Sequence, residues 1–120
     1  MNGTKAILDS NTIIFASKEM IDVNDMLSRY DDFYASAITY IEVYVFDFQN
    51  SLEKDITDEI FASLEIIELN REIADQAIIY RRNKSKKIKL PDAIILATAK
   101  YLNETVKFFR TQNSRYSLYF

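Results

Sequence analysis

Apolar positions along the chain fall into short blocks separated by polar junctions, with no apolar block longer than a buried helix. Ala6-Ile7-Leu8 closes on Asp9-Ser10-Asn11, the pattern of a buried strand whose carboxyl end runs into a helix beginning near Thr12. A short helix is expected over 22–27 and a second strand over 33–36. Ile38, Ile41 and Val45 then recur at helical spacing in a segment whose only charged residue before Asp47 is Glu42, which predicts a largely buried helix. Thr57-Asp58-Glu59-Ile60 has the form of a helix start, and 64–69 reads as a third strand punctuated by Asn70. Ile73, Ala74, Ala77, Ile78 and Arg81 mark an amphipathic helix that dissolves into a polar connector over 81–87. Pro91 suits the first turn of a nearly apolar helix over 93–102. A fourth strand is expected over 106–109 and a fifth, at an edge, over 118–120. Strands alternating with helices predict a parallel α/β sheet, whose sites lie outside the strand carboxyl ends.

Composition narrows the chemistry. The 120 residues are 48% hydrophobic and 28% charged, and a single domain over 1–120 is expected, since they contain one proline and no Gly/Ser-rich linker. Cysteine and histidine are both absent. That removes disulfides, thiol nucleophiles, Ser-His-Asp triads and zinc held by either residue, and it fits a reducing, cytoplasmic location. The only glycine is Gly3, too few for a phosphate loop or a dinucleotide fingerprint. With no other glycine, asparagines 70, 83, 103 and 113, which tolerate positive φ better than other residues, are expected to do glycine's usual turn and capping work. A formal charge of −3 gives no global attraction for nucleic acid. No segment reads as a membrane span or secretory signal.

Three carboxylates interrupt apolar segments. Asp9 ends a strand, and it could simply cap the next helix. Asp92 follows Pro91, where the helix macrodipole alone favours an acid. Glu42, between Ile41 and Val43, is costly to bury unless paired, protonated or bound to a cation, though it could point outward. A strand-end Asp, a helical Glu and a helix-start Asp can converge at one edge of a parallel sheet. Hard oxygen ligands then suit Mg²⁺ or Mn²⁺, which can activate water against a phosphodiester without any histidine.

The run Ile7-Leu8-Asp9-Ser10-Asn11-Thr12 resembles the opening motif of PIN domains, and Ser36-Ala37-Ile38-Thr39-Tyr40-Ile41-Glu42 is similar to their second. Leu90-Pro91-Asp92-Ala93-Ile94 resembles the third. Phe108-Phe109-Arg110-Thr111-Gln112-Asn113 is similar to the strand and Thr-x-Asn turn that close the site, in the compact form of VapC-like toxins. The resemblance implies a three-layer α/β/α sandwich around a parallel sheet of four to five short strands. It also implies an endoribonuclease using Mg²⁺ or Mn²⁺, with Asp9, Glu42 and Asp92 as catalytic metal ligands. Asn11, Thr39, Thr111 and Asn113 would be polar supports, and the partners a small cognate antitoxin protein and a second copy in a homodimer. The chain departs from the family at its end. A further acid usually follows the Thr-x-Asn turn, whereas here Asn113-Ser114-Arg115-Tyr116-Ser117 contains none and no acid follows Glu104. A PIN-like domain that has lost turnover and serves as a binding module is therefore the alternative.

Arg81, Arg82, Lys84, Lys86, Lys87 and Lys89 form the one dense basic stretch, close to Asp92, and are candidates to hold RNA phosphates or simply to be a solvated helix end. Tyr30, Phe33, Tyr34, Tyr40 and Tyr44 lie close enough in sequence to suggest a partner-binding groove. Tyr116 and Tyr119 could stack on bases, or belong to a terminal strand. A phosphoacceptor signalling domain is disfavoured, because Leu69 is followed by Asn70 where that fold needs an acid.

Overall fold

The computed structural model describes residues 5–102 and the backbone of a strand at 106–109. Four parallel strands, β1 (Lys5–Leu8), β2 (Asp32–Ser36), β3 (Glu65–Ile67) and β4 (Val106–Phe109), lie in the order β3-β2-β1-β4. β1 pairs with β2 from Lys5↔Asp32 to Ile7↔Tyr34, and with β4 from Lys5↔Val106 to Leu8↔Phe109. The chain leaves β1 toward β2 on one side and arrives at β4 on the other. The topological switch point therefore falls between β1 and β4, beside the end of β1.

Six helices complete the described residues: α1 (Ser10–Ser17), α2 (Val23–Ser28), α3 (Ala37–Val45), α4 (Ser51–Ala62), α5 (Arg71–Arg82) and α6 (Leu90–Leu102). Strand alternation sorts the core into two faces. Ala6 and Leu8 of β1 and Phe33 of β2 pack with Ile13 and Ala16 of α1, Met26, Val43 and Ile60. Ile7, pointing the other way, meets Ile95 and Ala99 of α6, with Tyr34 alongside. A third cluster joins Ile73 and Ala77 of α5 to Ala93, Ile94 and Ala97 of α6. The result is the expected three-layer α/β/α arrangement with a four-stranded parallel sheet; the expected fifth strand at 118–120 lies outside the described residues.

Several local expectations are corrected. α4 begins at Ser51, not near Thr57, because the Asn50 side chain accepts from Glu53 N at 2.9 Å and caps it there. Thr57 is instead buried in mid-helix, its hydroxyl donating to Glu53 O at 2.8 Å. α1 starts at Ser10, two residues before the expected position. β3 is shorter than 64–69. α3 is not largely buried: Val43 and Thr39 face inward, whereas Ile41 is 55% and Val45 74% exposed. Asn70 and Asn83 do the expected capping and turn work, but through their side chains and at negative φ. Asn70 caps α5 by accepting from Ile73 N at 2.8 Å, and Asn83 makes a side-chain turn with Ser85 N at 3.0 Å. Asn103 and Asn113 lie outside the described residues. The one non-glycine positive φ among the described residues is at Glu19, just past α1.

β2 and α3 share a boundary without a connecting residue. Ser36 ends the strand and caps the helix, its Oγ accepting from Ile38 N at 3.2 Å.

Candidate metal and phosphodiester site

Asp9 directly follows β1 at the switch point, with its carboxylate turned onto α1: Oδ1 accepts from Thr12 N at 2.8 Å. The helix-capping role expected of it is real, and a second carboxylate oxygen with further lone pairs allows it other contacts. Glu42 sits on α3, half-buried. Asp92 lies in the first turn of α6 and is exposed. α6 leads into β4 of an all-parallel sheet, so it runs against the strands and begins at their carboxyl edge.

α3 packs against both α1 and α6. The three acid-bearing elements are therefore neighbours in the fold. The side chains themselves are spread more widely. Among the described residues, no three acids stand close enough to form a ready ligand group.

One observation at this edge favours a ligand. Thr39 is fully buried on α3, and its Oγ1 has no hydrogen-bond partner among the described residues. Such a hydroxyl costs stability unless something answers it. Thr39 shares a helix face with Val43, one turn on, which belongs to the cluster of Leu8, Ile13 and Ala16, so that face looks toward β1 and α1. Glu42, at i+3, adjoins the same face. An all-oxygen donor set beside an unanswered hydroxyl fits a hard divalent ion in chemistry.

Other candidates are placed as follows. Asn11 is exposed in the first turn of α1. Thr111, Asn113, Tyr116 and Tyr119 lie outside the described residues. Arg81 closes the basic connector at its base, its Nη1 donating to Ile88 O at 2.7 Å. Arg82, Lys84, Lys86, Lys87 and Lys89 are exposed around that loop, which leads into the turn bearing Asp92. Ser36 went without a role in the sequence reading, yet it orients the helix that carries Thr39 and Glu42. Its signal was a serine immediately before a helix-period apolar run.

The expected aromatic groove is not one surface. Tyr30 and Phe33 meet edge to face at 5.7 Å within the α1-side core, and Tyr34 packs on the opposite face of the sheet. Strand alternation separates 33 from 34. Tyr40 and Tyr44 join instead with Phe61 of α4, at centroid distances of 5.2 and 5.4 Å, and Tyr44 also reaches Phe48.

Comparison with known proteins extends beyond single motifs. The sequence model of the PIN domain matches residues 6–117. The fold is similar to a toxin–antitoxin complex from Klebsiella pneumoniae (28% identity, TM-score 0.72), covering 92% of this chain and 88% of that one. It is also similar in fold to VapBC-1 from nontypeable Haemophilus influenzae, at 21% identity and TM-score 0.68 over 92% and 88% of the two chains. A third likeness is to VapBC2 from Rickettsia felis bound to a promoter DNA fragment, at 18% identity and TM-score 0.67 over 85% of each chain. A comparison with curated protein sequences gives no match.

Proposed function

Because the chain belongs to the PIN domain family, we propose that it is a VapC-like toxin of a type II toxin–antitoxin pair, an endoribonuclease that uses Mg²⁺ or Mn²⁺. The observation that supports this reading is that Asp9, Glu42 and Asp92 are carried by neighbouring elements, with α3 packed against both α1 and α6 beside the switch point of the sheet. The Klebsiella complex, at 28% identity, supports the toxin role.

In this reading Asp9, Glu42 and Asp92 hold the ion through carboxylate oxygens. When bound, Mg²⁺ or Mn²⁺ supplies an activated water and offsets charge gathering on the phosphodiester. The protein's own part is placement. Asp9 is fixed by its cap to α1, Glu42 by the Ser36 junction, and Asp92 by the first turn of α6. The exposed cations Arg82, Lys84, Lys86, Lys87 and Lys89 hold RNA phosphates beside the site, in a loop that Arg81 keeps closed. Asn11, Thr111 and Asn113 contribute neutral oxygens.

With no acid after Glu104, three carboxylates can largely neutralise one divalent ion, while a second would add two positive charges with little to offset them. One ion in the free protein and weak turnover follow from this. The outer face of α3, where Tyr40, Ile41 and Val45 are exposed, is the surface offered to the antitoxin or to a second copy. The same missing acid, together with the spread of the three carboxylates, favours as a second reading a PIN-like binding module without turnover.

Cleavage of RNA by the purified chain in Mn²⁺, with and without chelator, tests the proposal. Chelator-sensitive cutting that Asp9→Asn and Asp92→Asn both abolish is the expected outcome. Cutting that survives chelator or both substitutions overturns the mechanism, and RNA binding without any cutting selects the second reading.

A further inference from the structure

We infer that Thr39 is the positioning residue for Glu42: its hydroxyl, idle in the ion-free chain, donates to the Glu42 carboxylate when an ion is held and fixes the orientation in which that carboxylate reaches the ion. The inference rests on the reading of Asp9, Glu42 and Asp92 as ligands. It starts from a cost that the fold does not explain.

A threonine inside a helix ordinarily quiets its hydroxyl by donating to a carbonyl of the preceding turn. Thr57 and Thr98 do so here, to Glu53 O at 2.8 Å and Ile94 O at 2.7 Å. Thr39 is as buried as they are, and among these three buried helical threonines only its hydroxyl lacks such a bond. Packing alone would be better served by valine, which has the same shape and nothing to satisfy. Its position names the partner. Thr39 and Glu42 are three residues apart on α3, so their side chains are neighbours on the surface of one helix. Thr39 lies on the inward face with Val43, and Glu42 is half-buried at its border. A glutamate side chain is long enough to swing between solvent and that border, and the hydroxyl is the donor that holds it at the inner position. Thr39 is left unanswered with Glu42 placed as it is here; drawing Glu42 inward to an ion answers it.

A purely structural threonine and a positioning one respond differently to Thr39→Val. The measurements are the melting temperature of the ion-free protein and the Mn²⁺ affinity of the RNA-free protein by calorimetry. Thr39→Val is expected to raise the melting temperature by roughly 3–6 °C, since it removes an unsatisfied buried hydroxyl. It should also weaken Mn²⁺ binding roughly tenfold, as when a group orienting a metal ligand is lost. Thr39→Ser, which keeps the donor, restores the affinity. Unchanged Mn²⁺ affinity in Thr39→Val, with the wild-type chain binding Mn²⁺ normally, overturns the inference and leaves the ligand assignment standing. A wild-type chain that binds no Mn²⁺ overturns both. A Thr39→Val variant that loses both stability and affinity also overturns it, because the hydroxyl would then be a structural bond.

Discussion

Glu53 and Glu42 are both acids drawn at least partly out of solvent on a helix, and the structure treats them oppositely. Glu53 is buried at the start of α4, and every demand of its carboxylate is met: Oε1 accepts from Gln49 N at 2.9 Å and Oε2 pairs with Lys18 Nζ at 3.3 Å. The backbone hydrogen bond from Gln49 is the main cause that holds its carboxyl below the usual glutamate range, with Lys18 adding to it against burial. Lys18 itself rests over the Phe46 ring, 5.1 Å from its centroid, so one cation ties α1, the 46–50 loop and α4 together. One turn from Glu42, the buried Thr39 hydroxyl has no hydrogen-bond partner among the described residues. A satisfied buried acid belongs to the architecture. An unsatisfied polar neighbourhood at a switch-point edge is where a ligand belongs.

The largest effect that separates the two regions is catalytic. Asp9→Asn and Asp92→Asn should each lower Mn²⁺-dependent RNA cleavage on the order of 100-fold or more, because an anionic ligand is replaced by a neutral one. Glu53→Gln should leave Mn²⁺ affinity unchanged while lowering the melting temperature. If Glu53→Gln abolishes Mn²⁺ binding and Asp92→Asn does not, the division is the wrong way round.

A smaller effect isolates the double role of Asp9. Asp9→Ala removes the cap and should cost about 1 kcal/mol of stability by denaturant melt, whereas Asp9→Asn keeps the cap and should be near neutral. Equal destabilisation by both would mean that the charge, not the Thr12 hydrogen bond, supports the fold.

Acid titration sharpens the architectural side. The Asp58 carboxyl is held low first by the hydrogen bond from Tyr44 and then by Lys54, much as Glu53 is by Gln49. A lowered folded value contributes stability above the unfolded value, about 4 for carboxylates, that is lost as pH falls through the folded one. The melting temperature should therefore decline below about pH 4, and less steeply in Glu53→Gln. Tyr44 gives the alkaline counterpart: burial first, then Asp58, raise its phenol. Its stabilisation is lost as pH climbs beyond about 10, and Tyr44→Phe should remove that limb.

The smallest effect concerns the basic loop. Neutralising Lys84, Lys86 and Lys87 together should weaken RNA binding across sequences and reduce the salt slope by about one for each phosphate left without its cation. An unchanged slope makes the loop a solvated helix end.

Legibility in the sequence followed how local each signal was. β1 and β2 could be read because an apolar run stops at a polar cap within a few residues, and the candidate acids because each sits at such a boundary or alone in an apolar helix. The start of α4 was hidden: Thr57-Asp58-Glu59 imitates a cap in mid-helix, while the true cap, Asn50, follows the aromatic loop of Phe46 and Phe48. The exposure of Ile41 and Val45 could not be read from spacing, since periodicity marks a face without saying which side meets the sheet. Thr39 was visible only through family resemblance. Its missing hydrogen bond is a property of three dimensions, as is the parting of Tyr34 from Phe33 by the pleat of β2.

The junction at Ser36 leaves the chain no slack between sheet and helix. Substitutions there act on a cap, but length is another matter. One residue inserted after Ser36 would turn everything downstream on α3 by about 100°, carrying Thr39 out of the interior and Glu42 away from its border while every side chain in the motif stayed the same. The spacing from Ser36 to Thr39 and Glu42 is therefore held by the geometry of the helix itself, a constraint separate from the identity of either side chain.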